Sequence, residues 1–429
     1  MEDRFGQSIS TQSEVARDAY IRGVDLMLTA RPGSEPCFAQ AVAADPEFAL
    51  GHIARARALQ PQGRLAEMTQ ACATAWALAP KADERERSHI AIIRTFLNGD
   101  STAALAALRT HMHAHPRDGF ALSLALGVYG LLGFSGAADH HRQQCEWLDA
   151  LAPHWGRDWW FLGYRGWAHT ENGDPAFGTP LLDASLDLHR LNANAAHGRA
   201  HASYELGRAE EGESFLDQWL PAYEEAGSLF PHLSWHLALF ALQNGRTEKA
   251  VDLFDKRFRP SLGKQPPFFT IVDTASFNWR CLLRNVPRNS SEIGEVAEFA
   301  RQNFPKAAGG FANLHIAYAY AAAGDIEALT KHTSQVESFA RAGVHPSAPV
   351  VDVLCRGILN HAEGRYDEAI SDLEKALPDL ARIGGSHAQR DGVMETLVHA
   401  YLRAGQEQKA INVLGSRLGL ASIWSNAAT

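Results

Sequence analysis

Stretches of apolar residues with the three-and-four spacing of an amphipathic helix run along the whole chain, each cut off by a short polar breaker. The breakers are Gly-Arg, Gly-Asp or Gly-Gln pairs at Gly63, Gly99, Gly173, Gly207, Gly245, Gly324, Gly364 and Gly405, and Gly133 and the Arg284-Asn285 turn complete the series. Successive intervals are 36, 34, 40, 34, 38, 40, 39, 40 and 41 residues. Glycine at the end of a first helix takes the left-handed conformation without steric cost, so each breaker predicts a turn into a second, antiparallel helix. Five residues beyond most turns a small residue recurs (Ala104, Ala138, Gly178, Gly212, Ala250, Ala369, Ala410), where two helices must approach closely. Nine beyond, a large apolar one follows at Leu108, Leu182, Leu216, Phe254, Leu373 and Leu414, and Pro80 and Pro116 stop early second helices. With Phe38, Ala41 and Pro46 in matching places near the N-terminus, the pattern predicts an all-α stack of about eleven helical hairpins.

This spacing resembles the tetratricopeptide repeat, most clearly over Gly357, Gly364, Ala369, Leu373 and Ala376, although several units exceed that repeat's usual length of about 34 residues. The resemblance implies an α-solenoid coiled as a right-handed superhelix, with the first helix of each hairpin on the concave wall. No linker divides the chain, so residues 1–429 are expected to form one continuous array. The only irregular insertions of note, 260–269 with Pro266-Pro267 and 382–390, are expected on one rim, where the loops of a solenoid commonly carry function.

Composition narrows the partners. A hydrophobic fraction of 46% suits an ordinary folded chain, and a net charge of -9 with scattered Lys and Arg lacks the basic stripe of a nucleic-acid binder. No apolar run approaches the roughly 20 residues of a membrane span, and residues 1–12 lack the apolar centre of a signal peptide, so a cytoplasmic protein is expected. Cys37, Cys72, Cys145, Cys281 and Cys355 form no ligand pair and read as core residues; Cys281, beside Arg280, also admits a thiolate held near a cation.

Counting back from the turn glycines along the inner helices gives candidate chemistry. The unit ending at Gly207 presents Asn194, His197, His201 and Glu205 on one stripe, with Tyr204 beside them. The next presents His232, Trp235 and His236, and the one before presents Trp160, Tyr164, Trp167, His169 and Glu171. Stability does not require this alignment of His and Glu, whereas proton transfer or polar recognition would use it. His201, Glu205, His197 and His236 are the candidate acid-base residues, and the aromatics are either pocket walls or core. The one-turn pairs His197/His201 and His232/His236 are chemically adequate for zinc, but inner helices are usually about 10 Å apart, and spacing alone assigns no metal.

A second set comprises Asp273, Ser276, Trp279 and Arg280, then Asn313, His315 and Tyr318, then Ser386, His387, Arg390 and Asp391. Ser386 is placed to cap a helix whose free N–H groups, with Arg390, would face an anion; an ordinary capped helix fits equally well. Curling of the superhelix would bring both sets to one cavity, with His387 on its border.

The runs His197 to Arg208, His232 to Phe240, Asn313 to Gly324 and Gly385-Ser386-His387-Ala388-Gln389-Arg390-Asp391 resemble those of the tetratricopeptide repeat protein 38 family, the last most specifically. That resemblance implies a polar inner surface and supplies no reaction. Nucleotide-loop, nucleophile-elbow and His-Glu-x-x-His motifs are absent. Two functions remain: an inner pocket for a small polar ligand, with hydrolase- or lyase-type acid-base chemistry by His and Glu, or a scaffold holding a peptide in the concave groove. The lack of Lys on the inner stripes weakens the scaffold.

Overall fold

A computed structural model describes residues 1–307, 310–343 and 345–417. Among them 22 α-helices follow one another with one isolated β-bridge, Glu2 to Ser8, and no strand. Ten regular hairpins alternate along the chain, from Glu14–Leu28 with Ser34–Ala44 to His387–Arg403 with Glu407–Ser416. The fold is an all-α array of helical hairpins, as the sequence pattern predicts.

The eight turn glycines paired with Arg, Asp or Gln all sit at positive φ, between 66° at Gly207 and 91° at Gly99, and Asn285 takes 54° in the same role. The small residues five places on are buried except Ala138, which is exposed, and a Cβ on Gly166 would lie 2.8 Å from the carbonyl oxygen of Gly178 in the facing helix. Ala104, Ala250 and Ala369 are fully buried at the same register.

One unit departs from the pattern. In place of a first helix ending at Gly133, the chain forms a four-residue helix, Gly119–Leu122, and then turns and bends as far as His140. Gly127, Gly130, Gly133 and Gly136 interrupt this run, and Gly127 and Gly136 are left-handed at 83° and 78°. Leu131 N–H donates to Leu124 O at 2.9 Å and Leu132 N–H to Ala125 O at 3.2 Å, folding the segment on itself. Gly133 is therefore not a helix-hairpin turn; a Cβ there would strike the Val128 carbonyl.

The array curls far enough for distant units to touch. Arg31 pairs with Glu224 at 2.5 Å, and Asn194 Nδ2 donates to Leu28 O at 2.8 Å. His345 Nε2 lies 3.1 Å from Phe134 O, and Tyr129 packs edge-on against Phe269 with centroids 4.8 Å apart. Gln389 Nε2 donates to the Tyr129 hydroxyl at 2.7 Å. The irregular unit thus meets both insertions, 260–269 and 382–390, across the middle of the molecule. Buried apolar residues form two clusters, one from Phe5 to Ala202 and one from Ala193 to Ala410, adjoining at the helix Ala193–Glu205.

Candidate metal centre

The helix Ala193–Glu205 lies where those clusters meet. Asn192 caps it, accepting from Ala195 N–H, and Ala193, Ala195, Ala196, Ala200 and Ala202 are fully buried around its surface. Small side chains let neighbouring helices approach closely, and a Cβ on Gly198 would collide with Leu182. His197 and His201 lie one turn apart on this helix, and His232 and His236 one turn apart on the next inner helix, Phe230–Gln243.

The four imidazoles meet through one edge each. His197 Nε2 lies 2.8 Å from His201 Nε2 and 3.1 Å from both His232 Nε2 and His236 Nε2. One ligand atom from each ring falls within 4.8 Å of every other. The outer edges are held separately: Glu171 Oε1 is 2.7 Å from His201 Nδ1, and Asp273 Oδ1 is 2.8 Å from His232 Nδ1. All four rings and both carboxylates are buried. Trp235 stacks on His232, centroids 5.2 Å apart and planes 13° from parallel.

These contacts set the tautomers. The hydrogen bond to Asp273 keeps the proton on His232 Nδ1, so its Nε2 presents a lone pair to the centre, and the Glu171 carboxylate beside His201 Nδ1 favours the same tautomer there. Burial, reinforced by neighbouring rings, holds His197 and His236 well below the ordinary imidazole range and therefore neutral. Burial would push Glu171 up, but His201 and the nearby His387 and His141 outweigh it and keep the carboxylate ionised. Lone pairs thus converge on a point flanked by buried negative charge. A tetrahedral ion with Zn–N of about 2.0–2.1 Å needs nitrogens about 3.3 Å apart; the contacts through His197 are 2.8 and 3.1 Å, and the remaining pairs lie within 4.8 Å.

A cavity of about 270 Å³ adjoins this cluster, lined by His197, Asn194, Trp167, Tyr164 and the irregular segment from Ser123 to Gly130, with Arg57 and Phe96 opposite. His197 is the most exposed of the four rings at 7%, and it alone reaches the cavity.

The other sequence candidates go elsewhere. Glu205 does not face the histidines; its carboxylate lies 3.4 Å from His387 Nδ1 and 3.3 Å from Arg417. His169 turns to Asp149, at 3.0 Å, on the side of the preceding hairpin. Tyr204 donates to Asp391 Oδ2 at 2.8 Å, and Arg417 closes on that carboxylate at 2.7 Å. Trp279 stacks on Tyr318 and donates to Thr396 Oγ1 at 2.8 Å, while Arg280 pairs with Glu395 at 2.7 Å. Asn313 is buried with its carbonyl accepting from His332 at 2.9 Å, and His315 Nδ1 meets Phe311 O at 2.9 Å. This second set fastens the late helix His387–Arg403 onto Pro267–Leu283 and lines no part of the cavity beside His197.

Ser386 forms a capping box with Gln389, and the N–H of His387 donates to Glu171 Oε2 at 2.9 Å. The anion at that helix N-terminus is therefore the carboxylate that also holds His201. Arg390 turns away to Gly384 O, Gly385 O and His141 Nε2, the last at 3.0 Å. His387 is not among the residues lining the cavity beside His197; its ring lies 5.3 Å from that of His141. Burial pushes the Cys281 thiol up to about 12, which removes the thiolate alternative. Counting along the stripes missed the role of Asp273 and passed over Arg57 and Tyr129. Asp273 carried a signal, an acidic residue on the next inner helix; Arg57 carried none.

No protein-family model matches the chain, so its resemblance to the tetratricopeptide repeat protein 38 family stands on its motifs. Solved structures that align with it include a human IFIT1 dimer with m7Gppp-AAAA, at 15% identity over 98% of both chains and a TM-score of 0.44. Yeast Tom70 aligns at 13% identity over 94% of this chain and 91% of its own, with a TM-score of 0.37. The P58(IPK) TPR domain aligns at 17% identity over 92% of this chain and 99% of its own, with a TM-score of 0.21. At such scores these likenesses carry no argument about a ligand or partner. The expectation that nucleic acid is not a partner rests on charge pattern alone. No helix among the described residues is long and apolar enough to cross a membrane.

Proposed function

We propose that this chain, read by its motifs as a member of the tetratricopeptide repeat protein 38 family, is a helical-repeat metalloprotein. It holds one divalent transition ion, zinc fitting best, on His197, His201, His232 and His236, and receives a small ligand through the cavity beside His197. The observation that carries the reading is the convergence of four buried Nε2 atoms while Glu171 and Asp273 hold the outer nitrogens of His201 and His232. Carboxylates on the far nitrogen of a ligating histidine orient the ring and raise its basicity, an arrangement that recurs at metal centres. Two carboxylates also balance a dication among neutral imidazoles. Four nitrogen donors without thiolate suit zinc, copper or nickel rather than magnesium or calcium.

When bound, such an ion supplies a Lewis acid for a ligand's carbonyl or for water. The alternative of simple His201–Glu205 acid-base chemistry has less support. Both His201 nitrogens are engaged, by Glu171 and by His197, and Glu205 is paired with Arg417. A peptide scaffold is likewise less supported, because inner-wall residues Tyr204, Arg280, Asp391 and Glu395 are bound to one another across the curl.

The test is metal analysis of the purified protein, followed by titration of the chelator-treated form with zinc and with cobalt(II). One equivalent is expected, with the visible absorption of tetrahedral cobalt and no thiolate charge-transfer band. A His201→Ala/His236→Ala double variant that takes up zinc as the native chain does would overturn the proposal.

A further inference from the structure

Arg57 lies on the helix Ala49–Leu59 and faces the cavity that His197 reaches from the other side. Its guanidinium is fixed in place: Nη1 donates to Phe120 O at 2.6 Å, Nη2 donates to Ser123 Oγ at 2.9 Å, and the group lies over the Phe120 ring, 4.5 Å from its centroid. Among the described residues no carboxylate lies within ion-pair distance of it, and the cavity lining contains no Asp or Glu. Two buried arginines do have such a partner, Glu395 for Arg280 and Asp118 for Arg85, whereas Arg390 is held by Gly384 O, Gly385 O and His141. Burial lowers the Arg57 guanidinium to about 10, still charged at neutral pH. The guanidinium is part-buried at the cavity edge, and of its five N–H donors two are used here.

The walls between Arg57 and His197 are mostly apolar or aromatic: Phe96, Leu126, Tyr164 and Trp167. Trp167 is buried and its indole N–H has no acceptor among the described residues. The volume of about 270 Å³ lies just below the range of about 300–1,000 Å³ typical of drug-sized ligands, which suits a small molecule. One cation with three spare donors matches one carboxylate.

We infer that the cavity binds a small amphipathic carboxylic acid, with its carboxylate on Arg57, its apolar body against Phe96, Tyr164 and Trp167, and its far end at the His197 side of the metal centre. This assignment rests on the metal reading only for the far end; the Arg57 subsite stands on the cavity itself. The mouth lies at Gln60 and Pro61, the two exposed residues of the lining.

Calorimetry with phenylacetate and hexanoate against phenylacetamide and hexanamide, on zinc-loaded and metal-free full-length protein, tests it. The acids are expected to bind at least 10-fold more tightly than their amides, and Arg57→Gln to remove that preference while zinc uptake is unchanged. The acid-to-amide ratio of the native chain needs no variant, so a poorly folding Arg57→Gln leaves the test intact, and Arg57→Lys, which keeps charge but loses the fork, should fall between. Equal binding of acid and amide, no binding of either, a preference that survives Arg57→Gln, or displacement by inorganic phosphate in place of carboxylates would each overturn the inference. Zinc uptake without acid binding overturns it and leaves the metal centre standing. Acid binding in a protein that takes no zinc overturns the metal centre and keeps the Arg57 subsite.

Discussion

In the N-terminal hairpins His89 and His111 turn their ring nitrogens toward Asp118, whereas in the middle of the chain His197, His201, His232 and His236 turn theirs toward one another. Asp118 accepts from His89 at 3.0 Å, from His111 at 3.1 Å, from Arg85 at 2.7 Å and from Ala121 N–H at 3.2 Å. Its charge is matched by Arg85, and four donors face its two oxygens. That cluster has the carboxylate inside and the rings around it. The middle cluster inverts the order, with rings inside and Glu171 and Asp273 outside, so the lone pairs face inward and only a cation or a proton can satisfy them. Burial and the neighbouring rings disfavour the imidazolium form of His197 and His236. Proximity of His, Asp and Glu in sequence or space does not separate the two cases; the position of the carboxylate does.

The largest effect that would sharpen this contrast is at Asp118. Asp118→Ala leaves buried Arg85 with only Glu86, 3.8 Å away, as an ion-pair partner and should cost about 3–5 kcal/mol in urea unfolding, with zinc stoichiometry unchanged. A fall in zinc content would show that both clusters hold metal and break the comparison. Next, zinc at about 1,000-fold over its dissociation constant should stabilise the native chain by about 4 kcal/mol, read from the shift in thermal midpoint against chelator-treated protein. His201→Ala should abolish that shift.

Glu171→Gln keeps an acceptor but loses the charge, and should weaken zinc binding by about 10–100-fold in a competition titration without altering stoichiometry. Unchanged affinity would mean that the outer carboxylate does not tune the ring. The smallest effect concerns histidines in neither cluster. Burial lowers His315 and His332 to about 4 and His361 to about 3, from an ordinary 6.5. Since the unfolded chain takes up protons first, their stabilisation is full above about pH 6.5 and is lost as pH falls toward 4, by about 1 kcal/mol per pH unit from each. Urea midpoints of His361→Phe and native protein between pH 7 and pH 4 check this: the variant should lose less on acidification.

Much of the fold was legible because a solenoid writes its turns into the sequence at a fixed interval. Gly207 and Gly364 needed only local chemistry to be placed. Gly133 fits the same interval and failed, because Gly127, Gly130 and Gly136 around it dissolve the helix that the interval presupposes. The histidine stripe was legible from one-turn spacing. Which glutamate serves it was not: Glu171 and Glu205 hold the same register, two residues before a turn glycine, and differ only in what the curl sets opposite them. Glu171 meets His201, and Glu205 meets His387 and Arg417. Arg57 shows the same limit, since an arginine's lack of a carboxylate is visible only once every chain segment is in place.

The contact of Arg31 with Glu224, 193 residues apart in sequence, changes how the chain must assemble. An open solenoid grows by adding each unit to its neighbour, so no step waits on distant chain. Here the first hairpin can dock only after the units up to Glu224 are built, and the irregular segment around Phe134 must wait for His345. Long loops close at an entropic cost that grows with their length, and topologies rich in distant contacts fold slowly. Refolding should therefore show helix formation first and burial of Trp167 and Trp235 in a separate, slower phase.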